Sequence, residues 1–256
     1  MKLLSLAYGF VAYLIFLAAF LYSIGFVGGL VVPKGIDSGP ASQLLPALVI
    51  DALLLGVFAV QHSVMARPAF KAWWTKFMPA QVERSTYVLL ASLALILLFW
   101  QWRALPGLVW NVETPALASA IWAVFAVGWA IVLLSTFLIN HFDLFGLRQV
   151  WAYRRNSEAP PPEFRTPLFY KVVRHPIYLG FVLAFWAVPR MSVGHLVFAV
   201  ATTAYIVIGI QLEEHDLVAV FGERYREYRR RVPMLVPIPK LGRGSQRGGD
   251  KLAGSA

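Results

Sequence analysis

Long apolar blocks alternate with polar connections along the chain, and this pattern predicts membrane-spanning helices. A helix needs about 20 apolar residues to cross the hydrocarbon core of a bilayer. Five blocks reach that length, at 3–30, 44–66, 85–104, 115–140 and 192–212. We therefore predict an all-α protein, a multispan integral membrane helical bundle formed by one domain over residues 1–236.

Two apolar blocks need a closer interpretation. Residues 177–189 are too few for a comfortable span, so this segment is either a thin helix or a re-entrant leg, and Pro189-Arg190 then turns the chain. The first block is longer than the apolar region of a signal peptide, roughly 7–15 residues, and only Lys2 precedes it. We interpret it as a membrane anchor.

The C-terminal quarter contains an amphipathic segment, residues 213–232. Its apolar side chains recur every three or four residues, and most of its arginines occupy the other side; the apolar positions are Leu217, Phe221, Tyr225, Tyr228 and Val232. This pattern predicts a helix that leaves the bilayer and lies on the anionic lipid surface. The Pro-rich stretch EAPPPEFRTP (158–167) is predicted to be extended, and residues 237–256 to be a disordered basic tail.

Composition supports a membrane protein and explains the charge. Apolar residues make up 59% and charged residues 14% of the chain, against roughly 45–50% and about 25% in soluble domains. Of the 23 Lys and Arg residues, 20 lie at the N-terminus, in 67–84, in 141–175 or after 216. The positive-inside rule then places both termini in the cytoplasm. The net charge of +10 is thus a topology signal, and no nucleic-acid motif accompanies it. Without cysteine, the chain has no thiolate nucleophile and no Cys-ligated metal.

Polar clusters mark the predicted cytoplasmic ends of four apolar segments. They are Gln61-His62-Ser63, Asn140-His141-Phe142-Asp143, Arg174-His175 and Glu213-Glu214-His215-Asp216. Ionisable groups at this depth are costly, which favours a functional pocket, although single helix-end charges also serve as interface markers. Adjacent carboxylates at a helix C-terminus oppose the helix dipole, so Glu213 and Glu214 need a cationic partner or ligand. Asp51 lies in the other half of its span and has no assigned role.

Several reaction types can be weighed against these clusters. The clusters contain four histidines, 62, 141, 175 and 215, so a metal site is one alternative, although each cluster holds only one histidine. Ser63 lacks the nucleophile-elbow motif of a hydrolase. No dinucleotide-binding glycine motif is present. Pro176 suits the first position of a helix, whose N-terminus attracts an anion. With Glu213 opposite, the site permits a zwitterion that carries an additional positive centre, such as S-adenosylmethionine.

The motifs RHPIYLG (174–180) and EEHDLVAVFGERYREYRRRVP (213–233) resemble the paired signature of the isoprenylcysteine carboxyl methyltransferase and phospholipid methyltransferase superfamily. The resemblance covers roughly 160–235 and implies a membrane enzyme that uses S-adenosylmethionine without a Rossmann domain. QHSVMARPAFK (61–71) and NHFDLFGLRQVW (140–151) are similar to the branch that methylates small thiols, and they extend the match over most of the chain.

The resemblance also implies roles for individual residues. The expected cofactor contacts are Tyr170, His175, Pro176, Ile177, Tyr178, Glu213 and the adjacent Glu214, with the backbone at Phe164 and Arg165. The prenylcysteine enzymes carry a carboxylate-binding Arg four residues before the acidic Glu, where this chain has Gly209. That difference argues against a prenylcysteine substrate and makes Gly209 a candidate substrate contact.

The expected reaction is methyl transfer from S-adenosylmethionine to a small thiol, giving dimethyl sulfide from methanethiol or methanethiol from hydrogen sulfide. Thiol activation needs a base or a cation, and the candidates are His62, His141 oriented by Asp143, and Arg174. The alternatives are methylation of a phospholipid or other lipid group, an NADPH-dependent reductase, and a non-catalytic membrane protein. We expect a bacterial inner-membrane location with the site open to the cytosol.

Overall fold

A computed structural model describes residues 1–40, 42–157 and 164–238. Residues 158–163 of the predicted extended stretch (158–167) and 239–256 of the predicted tail (237–256) lie outside the described residues. In chain order the elements are α1 (Lys2–Gly28), α2 (Leu44–Ala66), α3 (Pro68–Trp74), α4 (Ala80–Gln101), β1 (Leu108–Asn111), α5 (Pro115–Ile139), α6 (His141–Leu144), α7 (Leu147–Arg154), a 3₁₀ turn (Leu168–Lys171), α8 (Pro176–Trp186), β2 (Arg190–Ser192), α9 (Val193–Phe221) and α10 (Glu223–Arg231).

Five of these helices, α1, α2, α4, α5 and α9, are long and apolar enough to cross a membrane. This confirms the predicted integral membrane helical bundle. The third span begins earlier than predicted, at Ala80, and the last continues beyond the predicted residue 212 to Phe221. Helices therefore extend past the apolar blocks into polar sequence at both of these ends.

The short segment α8 crosses the bundle only with help from extended chain. Its 11 residues rise about 16 Å at 1.5 Å per residue, roughly half of the hydrocarbon core. The chain then continues to β2, which pairs antiparallel with β1. Because β1 joins the ends of α4 and α5, the segment has reached the opposite end of the bundle. We call the end that contains the two strands the ribbon end, and the other the site end.

A contact between two glycines holds α8 against α5. A Cβ atom added to Gly180 would lie 2.6 Å from the carbonyl oxygen of Gly128, and one added to Gly128 would lie 2.7 Å from the backbone nitrogen of Ala184. Real Cβ atoms do not approach a backbone so closely. The two helices therefore pack backbone to backbone, in the manner of small-residue contacts between membrane helices.

The amphipathic C-terminal segment is divided rather than continuous. Residues up to Phe221 prolong α9, and only Glu223–Arg231 form the separate helix α10. The break is at Gly222, whose φ of 57° and ψ of −131° suit glycine and almost no other residue. The interfacial helix is thus shorter than the pattern of residues 213–232 predicts.

The main apolar core lies towards the ribbon end. It contains large buried side chains from α1, α4, α5, α8 and α9, among them Phe26, Leu98, Trp102, Trp129 and Phe198. Asp51, without a role in the sequence analysis, is fully buried beside this core, and its Oδ1 accepts the backbone N–H of Arg103 at 2.9 Å. Asp51 therefore holds the chain where it leaves α4.

Candidate active site

The four predicted clusters lie at one end of the bundle. Arg67, directly after α2, donates from Nη1 to Asp216 Oδ2 of α9 at 2.9 Å. Arg84 near the start of α4 donates from Nε to the carbonyl of Leu144, the last residue of α6, at 2.7 Å. The side chain of His175, before α8, contacts Glu214 of α9. The site end thus gathers the ends of α2, α4, α5, α8 and α9.

Glu214 forms a buried network with two arginines and a histidine. Its Oε1 accepts from Arg174 Nε at 2.6 Å and lies 3.1 Å from His175 Nε2, while its Oε2 lies 3.0 Å from Arg229 Nε. The side chains of Arg174 and Glu214 are 7% and 3% exposed. Removing one member of such a pair leaves a charge buried without its partner. The network therefore ties the start of α8 to α9 and α10.

The chain after α10 closes over the start of α8. The backbone N–H groups of Arg174 and His175 donate to the carbonyls of Pro233 and Met234 at 2.9 and 3.2 Å. Arg174 Nη1 also donates to the Val232 carbonyl at 2.6 Å. We call residues 232–234 the C-terminal strap, and it fixes the backbone that precedes Pro176.

Glu213 differs from its neighbour because one of its oxygens is left without a partner. His175 Nδ1 lies 3.7 Å from Glu213 Oε2, beyond hydrogen-bond range, and the Tyr178 hydroxyl hydrogen-bonds the carboxylate. Oε2 is buried and has no hydrogen-bond partner among the described residues. A buried carboxylate oxygen of this kind favours a cationic ligand.

Tyr170 provides a second unpaired group in the same place. Its hydroxyl is buried and lacks a partner within the described part of the chain. Burial and the nearby Glu213 carboxylate raise the pKa of the Tyr170 phenol, so the hydroxyl stays protonated. Its backbone carbonyl accepts from the Tyr228 hydroxyl at 2.6 Å, and burial raises the pKa of Tyr228 to about 12. The backbone at Tyr170 is thus held by α10, and its hydroxyl remains available.

The start of α8 completes this set. Pro176 occupies the first turn and is buried, Ile177 is half-buried beside it, and the side chain of the N-cap residue His175 does not cap the helix. The first N–H groups of a helix have no partner within the helix and carry partial positive charge. An anion-accepting helix start therefore lies close to the cation-accepting Glu213.

His62 belongs to a neighbouring cluster built on α2 and α4. Its ring stacks on Phe58 at 5.2 Å between centroids, and both ring nitrogens lie 3.0 Å from the Tyr87 hydroxyl. One residue later, Ser63 Oγ is 3.0 Å from the hydroxyl of Tyr205 on α9. Tyr87, Tyr178, Tyr205 and Glu213 interact electrostatically, so the two groups of residues adjoin.

Gly209 lies on the same side of α9 as Tyr205 and Glu213, one turn from each. A Cβ atom added there would meet nothing within 4 Å. The helix surface at Gly209 is therefore open, and a larger side chain would extend from it without a clash at its first atom.

His141 lies apart from these residues in a closed aromatic setting. It is 4% exposed and stacks on Phe137, and its nitrogens lie 2.8 Å from the Tyr13 hydroxyl and the Thr136 Oγ1. Both nitrogens are engaged, so Asp143 does not orient the ring. Asp143 accepts from Gln149 Nε2 at 2.9 Å instead. Burial lowers the pKa of the His141 imidazole, which keeps it neutral at pH 7.

The remaining histidine of the sequence clusters is at the surface. His215 is 85% exposed and lies beside Asp216. Over residues 1–40, 42–157 and 164–238, no three His, Asp or Glu side chains gather in a metal-binding arrangement. The clusters thus meet at one end of the bundle without forming a shared ligand set in the described residues.

Sequence reasoning missed Tyr87, Tyr205 and Arg84. The two tyrosines lie within apolar helices, where an aromatic residue is usually core, and Arg84 was counted only as a topology charge. Arg84 lies over the Tyr87 ring, with its Cζ 5.0 Å from the ring centroid. Arg84 and Tyr87 are three residues apart and therefore lie on one face of the helix, and this spacing is the signal that the sequence offers.

Comparison with known proteins gives the family. The sequence profile described as NnrU protein matches residues 51–237. Methanethiol S-methyltransferase 1 of Bradyrhizobium diazoefficiens is 58% identical over 92% of this chain and 83% of its own length. Methanethiol S-methyltransferase of Mycobacterium tuberculosis is 56% identical over 93% of this chain and 98% of its own. Nurim of Rattus norvegicus is 28% identical over 68% of this chain and 70% of its own. No solved structure matches the chain.

These matches confirm the resemblance to the small-thiol branch that the upstream motifs predicted. The profile covers the ends of α2 and α9 and the start of α8, which build the site. The chain is therefore a member of the NnrU protein family and belongs with the methanethiol S-methyltransferases that it matches along most of their length.

Proposed function

We propose that this protein is an S-adenosylmethionine-dependent thiol S-methyltransferase that converts methanethiol to dimethyl sulfide and also accepts hydrogen sulfide. One observation carries the proposal: two proteins named methanethiol S-methyltransferase are 58% and 56% identical to it over more than nine-tenths of the chain. The segment of the chain that matches these proteins includes the residues that build the site end.

The residues at the start of α8 suit this methyl donor. Within the described residues, Glu213 offers a buried oxygen without a partner, and Tyr170 offers a buried hydroxyl in the same condition. Glu213 suits the positive centres of S-adenosylmethionine, and the start of α8 at Pro176 suits its carboxylate. Tyr178 and His175 would line the place between them. The bound donor supplies an electrophilic methyl group.

Glu214 and Arg174 support this site rather than contact a ligand. The guanidinium of Arg174 is already paired with Glu214 and with the Val232 carbonyl. Its charge is therefore neutralised locally, and it is a poor candidate for lowering the pKa of a thiol. Both residues act by holding His175 and the start of α8 in position.

Activation of the thiol falls to His62 among the proposed catalytic residues. A thiolate is a far stronger nucleophile than a thiol, so the protein must remove or stabilise a proton. His141 has both nitrogens engaged and Arg174 is paired, whereas His62 contacts a single hydroxyl. The aromatic residues around His62, Phe58 and Tyr87, would exclude water from a small apolar acceptor bound there.

The proposed location is the bacterial cytoplasmic membrane, with the site end in the cytosol. Most Lys and Arg residues lie in segments at the site end, and the positive-inside rule puts that side in the cytoplasm. A cytosolic opening gives the enzyme access to a methyl donor made in that compartment.

Headspace analysis tests the proposed function. Bacterial cells that express the chain and receive methanethiol are expected to release dimethyl sulfide, and labelled methyl from S-adenosylmethionine should appear in that product. Cells expressing the Glu213→Ala variant at equal protein level provide the control and should release far less. Absence of labelled product with either thiol, in membranes that contain the folded protein, would contradict the proposal.

A further inference from the structure

Aromatic packing holds the His62 imidazole firmly beside the Tyr87 side chain. Phe58 stacks on the imidazole with an interplanar angle of 20°, and the Tyr87 ring lies 5.2 Å away between centroids. Tyr87 itself is only 7% exposed. The imidazole is therefore fixed between two aromatic rings contributed by α2 and α4.

The Tyr87 hydroxyl lies 3.0 Å from both nitrogens of His62 and can accept from whichever nitrogen carries the proton. When its oxygen accepts from one ring N–H, the other nitrogen carries a lone pair and can take a proton. After that nitrogen is protonated, the first N–H still donates to Tyr87. The hydrogen bond between His62 and Tyr87 can therefore form whether the imidazole is neutral or protonated.

Charged side chains surround this pair unevenly. Arg84 lies over the Tyr87 ring and is the charged residue that acts on both Tyr87 and His62. The other ionisable groups that interact with Tyr87 come from the end of α2, from α8 and from α9; they are Arg67, Tyr178, Tyr205 and Glu213. A positive charge behind Tyr87 favours an anionic sulfur in front of it.

We propose that the acceptor thiol binds between the His62–Tyr87 pair and the Tyr178–Glu213 pair, and that Tyr87 positions His62 to take the thiol proton. This inference rests on the proposed function and adds the acceptor site to it. Gly209, open on the adjoining face of α9, leaves space for the methyl group of the acceptor.

The transfer step balances with groups already named. The S–H proton passes to the free nitrogen of His62. A lone pair of the acceptor sulfur then forms the new bond to the methyl carbon while the methyl–sulfonium bond breaks, and that bond's electron pair stays with the sulfur left behind. Methanethiol becomes a neutral thioether, and His62 later returns its proton to water.

The Tyr87→Phe variant tests the positioning role, since it keeps the ring over which Arg84 lies and removes only the hydroxyl. General base catalysis contributes about 100-fold or more, so we expect about a 10-fold or greater loss of kcat at pH 7 with unchanged affinity for S-adenosylmethionine. Activity should recover as the pH rises and solution supplies thiolate. Tyr22→Phe is the matched control, because it also loses one hydroxyl bond, to the Lys34 carbonyl at the ribbon end.

A second readout does not depend on product formation. In protein labelled with ¹⁵N-histidine, without cofactor, methanethiol should shift the ring signals that disappear in His62→Gln, and Tyr87→Phe should alter their tautomer pattern. A thiol-dependent shift without dimethyl sulfide would keep the acceptor site and overturn the proposed function. Wild-type turnover in Tyr87→Phe, a loss that is equal at every pH, or no thiol-dependent shift would overturn this inference.

Discussion

At the scale of single residues, two adjacent carboxylates have different surroundings and therefore different roles. Glu214 is 3% exposed and paired with Arg174, Arg229 and His175. Glu213 interacts with Tyr178 and lies 3.7 Å from His175, and it keeps a buried oxygen without a hydrogen-bond partner in the described residues. The sequence makes both residues candidates for one ligand, whereas the contacts pair Glu214 within the protein and leave Glu213 as the candidate for the ligand.

Replacing Glu213 should therefore weaken binding of the methyl donor. Glu213→Gln keeps the shape of the side chain and removes the negative charge that, in the proposed site, would face the donor's positive centres. We expect at least a 10-fold rise in the dissociation constant for S-adenosylmethionine, about 1.4 kcal/mol, measured by calorimetry on purified protein. Glu223→Gln, an exposed residue paired with Arg230, should leave the constant unchanged. Equal affinities in the two variants would refute the role of Glu213.

Replacing Arg174 should instead destabilise the fold. Arg174→Met leaves the buried Glu214 without its shortest ion pair, and breaking a buried pair costs about 3–5 kcal/mol. Thermal unfolding in detergent should show a clearly lowered midpoint. Arg226→Met removes an exposed arginine of α10 and should have little effect. A normal midpoint together with lost turnover would point to a catalytic role for Arg174.

His141 should make stability fall as the pH is lowered. Its pKa is lowered by burial in the folded protein, so the unfolded chain binds a proton near pH 6.5 while the folded chain does not. Folding free energy is then lost as the pH falls below about 6.5. Unfolding midpoints measured at pH 7.5 and 5.5 should differ less in His141→Gln than in the wild type. The exposed His215→Gln should keep the wild-type difference.

At the scale of elements, the site depends on a helix that is too short to span. The start of α8 must meet Glu213, and its other end must reach the strand ribbon. Contact with α5 through Gly128 and Gly180 fixes its height in the bundle. The sequence predicted the position and shortness of this segment because the apolar run is visible. It did not predict the ribbon, since β1 and β2 have four and three residues.

Gly180→Ala should consequently destabilise the bundle. The new Cβ would lie 2.6 Å from a backbone oxygen of α5 and would force the helices apart. Gly56→Ala is the matched control, because nothing lies within 4 Å of its Cβ and alanine favours helix by about 1 kcal/mol. Folded protein recovered from membranes should fall for Gly180→Ala and stay equal or rise for Gly56→Ala. The opposite order would exclude a close α5–α8 contact.

At the scale of the whole molecule, the sequence predicted the spans and the end at which the polar clusters meet. Apolar length and the distribution of basic residues are properties that a bilayer imposes directly. Individual contacts could not be predicted in the same way. His141 and His62 look alike in sequence, and only packing shows that one has both nitrogens engaged. Tyr87 and Tyr205 lie in apolar helices, and only the partners of their hydroxyl groups distinguish them from core residues.

The predicted orientation can be tested on the intact chain. A periplasm-dependent phosphatase inserted in the ribbon-end connection after Gly39 should be active, and the same reporter fused after Ala256 should be inactive. A fluorescent protein that folds only in the cytoplasm should give the reverse result at the two positions. Phosphatase activity from the C-terminal fusion would place the site end outside the cytosol.

The C-terminal strap also determines when the site can first exist during biosynthesis. The start of α8 emerges from the ribosome before the strap, and Arg174 must wait for a carbonyl 58 residues later in the chain. A nascent or truncated chain that lacks residues 232–234 can insert its spans but cannot fix the backbone beside Pro176. We therefore expect methyl transfer only after synthesis has passed the strap, and no consumption of the methyl donor by incomplete chains.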